Sequence, residues 1–179
     1  MKLVPVKSKD DIFPQFKNSP IEKLFDYHNF FHPFENCKKA EILVGMCMDN
    51  RKYLHIPDNF AYILRSGGAN FRNNEFKISY AIAIGNIKTF ALVCHNHCGM
   101  VNLISRKKKF IDGLIKNAGW NKFDAEKHFW ENAPRFEIGS EINFIVGECE
   151  RLRFCYPKIL IAPLFFNVDD NLLYQIKEK

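Results

Sequence analysis

The chain has 179 residues and a formal net charge of +6, with 47% hydrophobic and 26% charged residues. This profile is typical of one soluble globular domain that is large enough to bury a core. The longest apolar run, 159–166, is too short for the ~20 residues of a membrane span. The N-terminus also lacks the apolar stretch of a signal peptide. We therefore expect a cytoplasmic protein without a membrane partner.

The six cysteines do not show the regular spacing of a disulfide framework, which makes reduced thiols or metal ligands the expectation. They stand at positions 37, 47, 94, 98, 149 and 155. The net charge raises the question of nucleic acid. However, the dense basic run 106–109 is typical of a solvated helix face, and no nucleic-acid recognition motif accompanies it. We therefore expect no nucleic-acid partner.

Apolar residues first recur at helical spacing behind Ser19 and Pro20, a plausible cap and first-turn proline, which predicts an N-terminal helical arm at about 12–35. Its apolar face should lie against the main body or a second subunit. Nearly continuous apolar runs, typical of strands covered on both faces, follow further along the chain. They predict strands over 41–47, 60–65, 89–94 and 159–166.

Pro163 favours an edge position or a bulge for the last of these strands. Helical periodicity fills the intervals between the strands, and the tail 172–176 is a candidate for a short antiparallel strand. The helices are predicted over 74–85, 99–117, 123–132 and 139–153.

Strands that alternate with helices predict right-handed crossovers and a parallel sheet. The fold class is therefore α/β, with a central, mostly parallel sheet of about four strands flanked by helices. A further antiparallel edge strand is possible. No linker or repeat divides the sequence, so residues 1–179 are expected to form a single domain.

Candidate functional residues follow three predicted strands, in the segments 47–51, 65–69 and 95–100. Ligands of open parallel sheets bind beyond the carboxyl ends of the strands, so these segments should meet at one rim. Cys47, His95 and Cys98 supply two thiolates and an imidazole, a set that suits Zn²⁺. Three protein ligands leave the fourth tetrahedral position open, as a catalytic site requires.

These residues form two motifs, C-x-D-x-R at 47–51 and H-x-x-C-G at 95–99, which together resemble the β-class carbonic anhydrases. The segment 65–69, Arg-Ser-Gly-Gly-Ala, is similar to the R-N-A-G segment of that family. The resemblance extends over roughly residues 20–175, although 105–155 is similar only in its helical character.

The resemblance implies Zn²⁺ bound by Cys47, His95 and Cys98, in a homodimer or higher homo-oligomer. It also implies reversible hydration of CO₂ to bicarbonate and a proton, by attack of a zinc-bound hydroxide. In this scheme Asp49 accepts a hydrogen bond from the hydroxide and Arg51 holds Asp49. Backbone N–H groups around Gly67 and Gly68 are candidates to bind the oxygens of the product.

Several alternatives stay open at this level. His97 competes with His95 as a ligand, although adjacent residues such as His97 and Cys98 rarely aim at the same ion. The Ser66-Gly67-Gly68 turn departs from the commoner Asn-Ala-Gly, which leaves hydrolysis of carbonyl sulfide or carbon disulfide as an alternative activity. A non-catalytic protein that keeps zinc for folding and binds a partner is a third hypothesis.

Overall fold

The computed structural model describes residues 1–72 and 74–178, and within these ranges six strands form one sheet. The strands are β1 (Lys2–Pro5), β2 (Ile42–Cys47), β3 (Ala61–Ser66), β4 (Thr89–His95), β5 (Leu160–Asn167) and β6 (Leu172–Lys177). Their spatial order is β1-β6-β5-β4-β2-β3. The neighbouring strands β5, β4, β2 and β3 pair in parallel, whereas β6 is antiparallel to both β5 and β1.

Five α-helices flank this sheet in the described part of the chain. They are α1 (Pro20–His28), α2 (Glu75–Ala83), α3 (Lys107–Ala118), α4 (Lys122–Phe136) and α5 (Glu141–Cys155). The prediction of an α/β fold with a mostly parallel sheet is therefore confirmed, and so is the antiparallel strand in the tail. The sequence did not indicate β1, a short strand whose residues are exposed or half-buried.

Helices cover both faces of the sheet at its centre, which explains why β2 and β4 are buried along their whole length. On one face α1 packs Leu24 and Phe25 against the side of β2 that carries Val44 and Met46. On the other face, α2 and α5 pack against the alternate residues of β2 and β4. The apolar face of the N-terminal arm thus lies on the body of its own chain.

The strand β3 differs from its prediction, because it is not covered on both faces. It forms the outer edge of the sheet, and Tyr62 and Ile63 are 47% and 44% exposed. An apolar run alone does not distinguish a central strand from an edge strand, since both bring β-forming residues into the sheet.

The helix predicted over 99–117 begins only at Lys107, after a 3₁₀ turn at Leu103–Arg106. The carboxylate of Glu137 accepts hydrogen bonds from the backbone N–H groups of Asn102 and Leu103, at 3.0 and 2.6 Å. Asn102 itself has a left-handed backbone, with φ of 54°. A contact from a distant helix end therefore keeps this segment out of the α-helical conformation.

Pro163 lies in an interior strand, so the prediction of an edge position is wrong. The N–H of Leu160 points to β4, where it donates to the carbonyl of Lys88 at 2.9 Å. Because N–H groups alternate in direction along a strand, the nitrogen of Pro163 faces β6. Pairing with β6 starts one residue later, at Leu164, and the missing N–H therefore breaks no hydrogen bond.

One histidine in the fold is buried without a counter-charge. His28, at the end of α1, is 4% exposed, and its Nδ1 accepts a hydrogen bond from the backbone N–H of His55 at 3.0 Å. Among the described residues its Nε2 has no hydrogen-bond partner. Burial lowers the pKa of His28 to about 4, from an ordinary value of 6.5. Protonation of His28 therefore favours the unfolded chain.

This difference predicts an acid-labile fold. Stability from neutral His28 is present above pH 6.5 and is lost as the pH falls toward 4, because the unfolded chain takes up the proton first. Between pH 7 and pH 5, we expect the free energy of unfolding of the wild type to fall by about 2 kcal/mol more than that of His28→Asn, as measured by urea denaturation at both pH values. His128→Asn, at an exposed histidine, is the control and should follow the wild type. Equal pH dependence in wild type and His28→Asn would contradict this prediction.

Candidate metal centre

Three buried side chains with metal-binding atoms converge where β2 and β4 end. Cys47 is the last residue of β2, His95 is the last residue of β4, and Cys98 follows in the next turn. Their ligand atoms all lie within 4.8 Å of one another, and each residue is at most 3% exposed. The structure thus brings together the three residues that the sequence predicts as ligands.

The orientation of the His95 ring suits a metal ligand. Its Nδ1 lies 2.8 Å from the backbone carbonyl oxygen of Asn96, and a carbonyl only accepts, so Nδ1 carries the proton. Its Nε2 is then left with a lone pair, and this atom is buried with no hydrogen-bond partner among the described residues. A buried polar atom without a partner is costly, and a metal ion would satisfy it.

The two sulfur atoms are spaced as a tetrahedral ion requires. Sγ of Cys47 and Sγ of Cys98 are 3.9 Å apart. Two thiolates at the zinc–sulfur distance of about 2.3 Å with a tetrahedral angle would be separated by roughly 3.8 Å. The residues present therefore fit a zinc ion, both in the chemistry of the donor set and in their spacing.

Hydrogen bonds prepare one of the two thiols for metal binding. The bond from Cys98 lowers the pKa of Cys47, and the N–H of Gly68, 3.3 Å from its Sγ, lowers it further. The same pairing, together with burial, raises the pKa of Cys98. A cation bound between the two sulfurs would displace the remaining proton and hold both residues as thiolates.

Asp49 and Arg51 form a close ion pair beside this cluster. Nη2 of Arg51 donates to Oδ2 of Asp49 at 2.7 Å, and Nε of Arg51 donates to Oδ1 at 3.0 Å. The backbone N–H of Arg51 donates to Oδ1 as well, at 3.0 Å. These contacts hold the pKa of Asp49 well below its usual range, so the carboxylate is ionised at any physiological pH.

Arginine side chains also join the loops that carry the cluster. Arg51 Nη2 donates to the carbonyl of His97 at 3.0 Å, which links the loop after β2 to the loop after β4. Arg65, near the end of β3, donates to the carbonyls of Cys47 and Lys52, each at 3.1 Å. Sequence reasoning placed Arg65 within a motif but assigned it no contact, and it did not single out Lys52.

Gly67 and Gly68 form a buried turn directly behind Cys47. Gly68 has φ of 62°, and a Cβ atom there would lie 2.8 Å from the side chain of Ile138, so the turn requires glycine. A Cβ atom on Gly67 would approach Met100 to 3.1 Å. The N–H of Gly68 donates to Sγ of Cys47. The predicted contact between the N–H groups of this turn and the oxygens of the product stays a prediction.

His97, the competing ligand, lies apart from the cluster. Its side chain is 69% exposed, and its Nε2 lies 4.0 Å from the carboxylate of Asp169. Its backbone is left-handed, with φ of 55°, which turns consecutive side chains of this loop in different directions. The structure therefore places His95, and not His97, next to the two cysteines.

A mainly apolar cavity of about 360 Å³ lies between the turn behind Cys47 and the helices α3 and α4, and its walls include sequence neighbours of the cluster, Met48 and Met100. Its walls include Met48, Gly67, Met100, Leu103, Phe129 and Phe136. Phe129 and Phe136 come from the segment 105–155, where the resemblance was limited to helical character, so the sequence alone did not reveal the cavity.

Comparisons by sequence and by structure differ in outcome. No protein-family description and no curated protein matches the sequence. Among solved structures, β-carbonic anhydrase isoform I of Trichomonas vaginalis matches with a TM-score of 0.64 and 18% identity, over 80% of this chain and 87% of that one. A carbonic anhydrase of Glaciozyma antarctica matches with a TM-score of 0.59 and 15% identity, over 83% and 90%.

An apo carbon disulfide hydrolase is also similar, with a TM-score of 0.56 and 20% identity over 80% of this chain and 81% of that one. The chain therefore has the β-carbonic anhydrase fold, as its two motifs predicted. The proteins that share this fold differ in their named activities, so the fold by itself does not identify the substrate.

The geometry predicts which residues a bound metal needs. We expect the wild-type protein to carry about one zinc ion per chain and Cys47→Ser and His95→Ala to lose most of it, because each removes a ligand. His97→Ala is the matched control and should keep its zinc. Metal content by mass spectrometry, with a chelator titration, measures both. Loss of zinc in His97→Ala but not in His95→Ala would contradict the assignment.

Proposed function

We propose that this protein is a zinc enzyme that hydrates CO₂ reversibly to bicarbonate and a proton. The observation that carries the proposal is the cluster of Cys47, His95 and Cys98 with an ionised Asp49–Arg51 pair beside it. A zinc site that serves only folding needs no such pair, and it normally has four protein ligands.

The donor set supports an open metal site. Among the described residues, the group of His, Cys, Asp and Glu side chains within reach of one ion has three members. A tetrahedral ion held by these three keeps one position for a small molecule. When bound there, Zn²⁺ would supply a nucleophile from water at neutral pH.

Asp49 is suited to orient that nucleophile. A carboxylate offers about four acceptor positions. The backbone N–H and Nε of Arg51 donate to Oδ1, whereas Nη2 donates to Oδ2 and Nε reaches Oδ2 only in a longer, shared contact of 3.2 Å. Oδ2 is therefore the oxygen that can best accept a further hydrogen bond. Because Asp49 stays ionised, it can only accept a hydrogen bond and cannot donate one. A hydroxyl group that donates a hydrogen bond to Asp49 therefore keeps its lone pairs directed at the substrate.

The apolar cavity supports an uncharged substrate. CO₂ carries no charge, and it enters apolar surroundings such as those of Met100 and Phe136 with little loss of hydration. Bicarbonate is charged and is poorly accommodated by the same walls, which favours its release. The cavity thus complements the substrate and not the product.

Carbonyl sulfide and carbon disulfide are the second candidate substrates. Met48 and Met100 line the cavity, and their polarisable thioethers suit contacts with sulfur. The cavity is also much larger than a molecule of CO₂. The fold is shared with a protein named as a carbon disulfide hydrolase. The attack on carbon is the same for each of these substrates, so the assay must separate them.

Stopped-flow CO₂ hydration by the zinc-loaded protein tests the proposed function. We expect measurable turnover, and we expect Asp49→Ala to lower kcat/KM roughly a hundredfold because the nucleophile loses its orienting acceptor. Asp112→Ala, at an exposed carboxylate on α3, should leave the rate unchanged. Release of H₂S from carbonyl sulfide without hydration of CO₂ would favour the second candidate. If neither substrate is turned over, both assignments fail.

We also propose that the protein forms a homodimer or a higher homo-oligomer. Apolar side chains recur every four residues on the outer face of α2 and at the residue that caps its C-terminus: Phe76, Tyr80 and Ile84 are 79%, 56% and 70% exposed. The adjacent edge strand β3 exposes Tyr62 and Ile63. An open sheet edge next to apolar residues favours association, and a second copy of the chain offers the same surface for a symmetric contact.

The double variant Phe76→Ser/Ile84→Ser tests this surface. We expect the wild type to sediment as a dimer or larger species and the variant to sediment as a monomer, because the interface loses its apolar contacts. Phe123→Ser, at a phenylalanine on α4 that is 74% exposed, is the control and should keep the assembly. A variant that stays assembled would place the interface elsewhere.

A further inference from the structure

Lys52 is an ammonium group with a fully buried side chain, at 0% exposure, immediately after the C-x-D-x-R motif. A lysine is almost never buried unless it is paired, because removal of its charge from water is costly. Burial accordingly lowers the pKa of Lys52, whereas the charges of Cys47 and Asp49 raise it again. Its surroundings therefore have to supply a partner that offsets the cost.

The partner of Lys52 is Asp49, through two different atoms. Nζ of Lys52 donates to the backbone carbonyl oxygen of Asp49 at 3.1 Å, and it lies 3.9 Å from Oδ1 of the same residue. The carbonyl of Lys52 is held in turn by Arg65. The ammonium thus closes a loop that runs from Asp49 to Lys52, and Arg65 anchors that loop to the end of β3.

The two cations around Asp49 differ in their exposure. The Arg51 side chain is 44% exposed, so water and salt screen its attraction to the carboxylate. Lys52 is shielded from both. The side chain of Arg51 contacts Asp49 at its carboxylate, whereas Lys52 contacts the backbone carbonyl of the same residue. Arg51 thus fixes the end of the side chain and Lys52 fixes its base.

We propose that Lys52 is a positioning residue for Asp49. It holds the loop 49–52 in the conformation that keeps the carboxylate of Asp49 paired with Arg51, beside the cluster of Cys47, His95 and Cys98. The inference rests on the proposed function only in taking Asp49 as a group that acts on the reacting molecule. Lys52 itself contacts no substrate. Its removal should therefore act through Asp49 and nowhere else.

A double-mutant cycle separates this role from a merely structural one. We expect Lys52→Met, which removes the charge but keeps the length of the side chain, to lower kcat/KM for CO₂ about tenfold, mainly through kcat. In an Asp49→Ala background the same substitution should change kcat/KM less than twofold, because the group that it positions is absent. Additive losses would overturn the proposal.

A second measurement does not depend on turnover. We expect the ¹⁵N-labelled Nε–H signal of Arg51, assigned with Arg51→Lys, to be sharp in the zinc-loaded wild type and broadened by exchange in Lys52→Met. Lys52→Arg keeps the cation and should keep the sharp signal. Lys52→Leu serves as the uncharged variant if methionine is not accommodated. Lys108→Met, at an exposed lysine, is the matched surface control.

An unchanged Arg51 signal in the uncharged variant would overturn the role of Lys52. If the wild type hydrates no CO₂, the proposed function fails, but the Arg51 signal still decides whether Lys52 holds the pair. A loss of thermal stability with an unchanged signal would assign Lys52 to folding alone, and this result would also overturn the proposal.

Discussion

The parallel register of β2 and β4 is the constraint on which the site depends. Met46 pairs with Val93, so Cys47 is level with Cys94, and His95 follows one residue further along the neighbouring strand. The helices on both faces maintain this register, since a slip of one residue would move every side chain of β2 to the opposite face. The core of the sheet thereby determines the distance between two candidate metal ligands that are 48 residues apart in the sequence.

Around the ligands, charge is arranged in layers. Two sulfurs and a ring nitrogen form the interior, Asp49 lies next to them, and the cations of Arg51 and Lys52 lie behind Asp49. The two cations offset the charge of Asp49, which limits the cost of keeping this carboxylate out of water. The cavity beyond Met48, Gly67 and Met100 is lined mainly by apolar side chains. The charged groups around Asp49 and the apolar walls of this cavity thus form two distinct environments.

Most of the sheet and the three candidate ligands could be predicted, because each depends on local sequence. Continuous apolar runs mark strands, and the spacing between His95 and Cys98 is that of a turn that can hold one ion. The exposure of β3 and the interior position of Pro163 could not be predicted, since both depend on which strands pair. The late start of α3 likewise depends on the carboxylate of Glu137, which is distant in sequence.

The sequence by itself determined the α/β class, the order of the central strands and helices along the chain, and the residue types of the candidate metal ligands, because periodicity and motif spacing are properties of neighbouring residues. Only the tertiary structure decided that the N–H of Gly68 is directed at Cys47 and that Lys52 is buried. Each of these depends on packing between distant segments. A lysine in a polar loop carries no local sign that other strands and loops will enclose it.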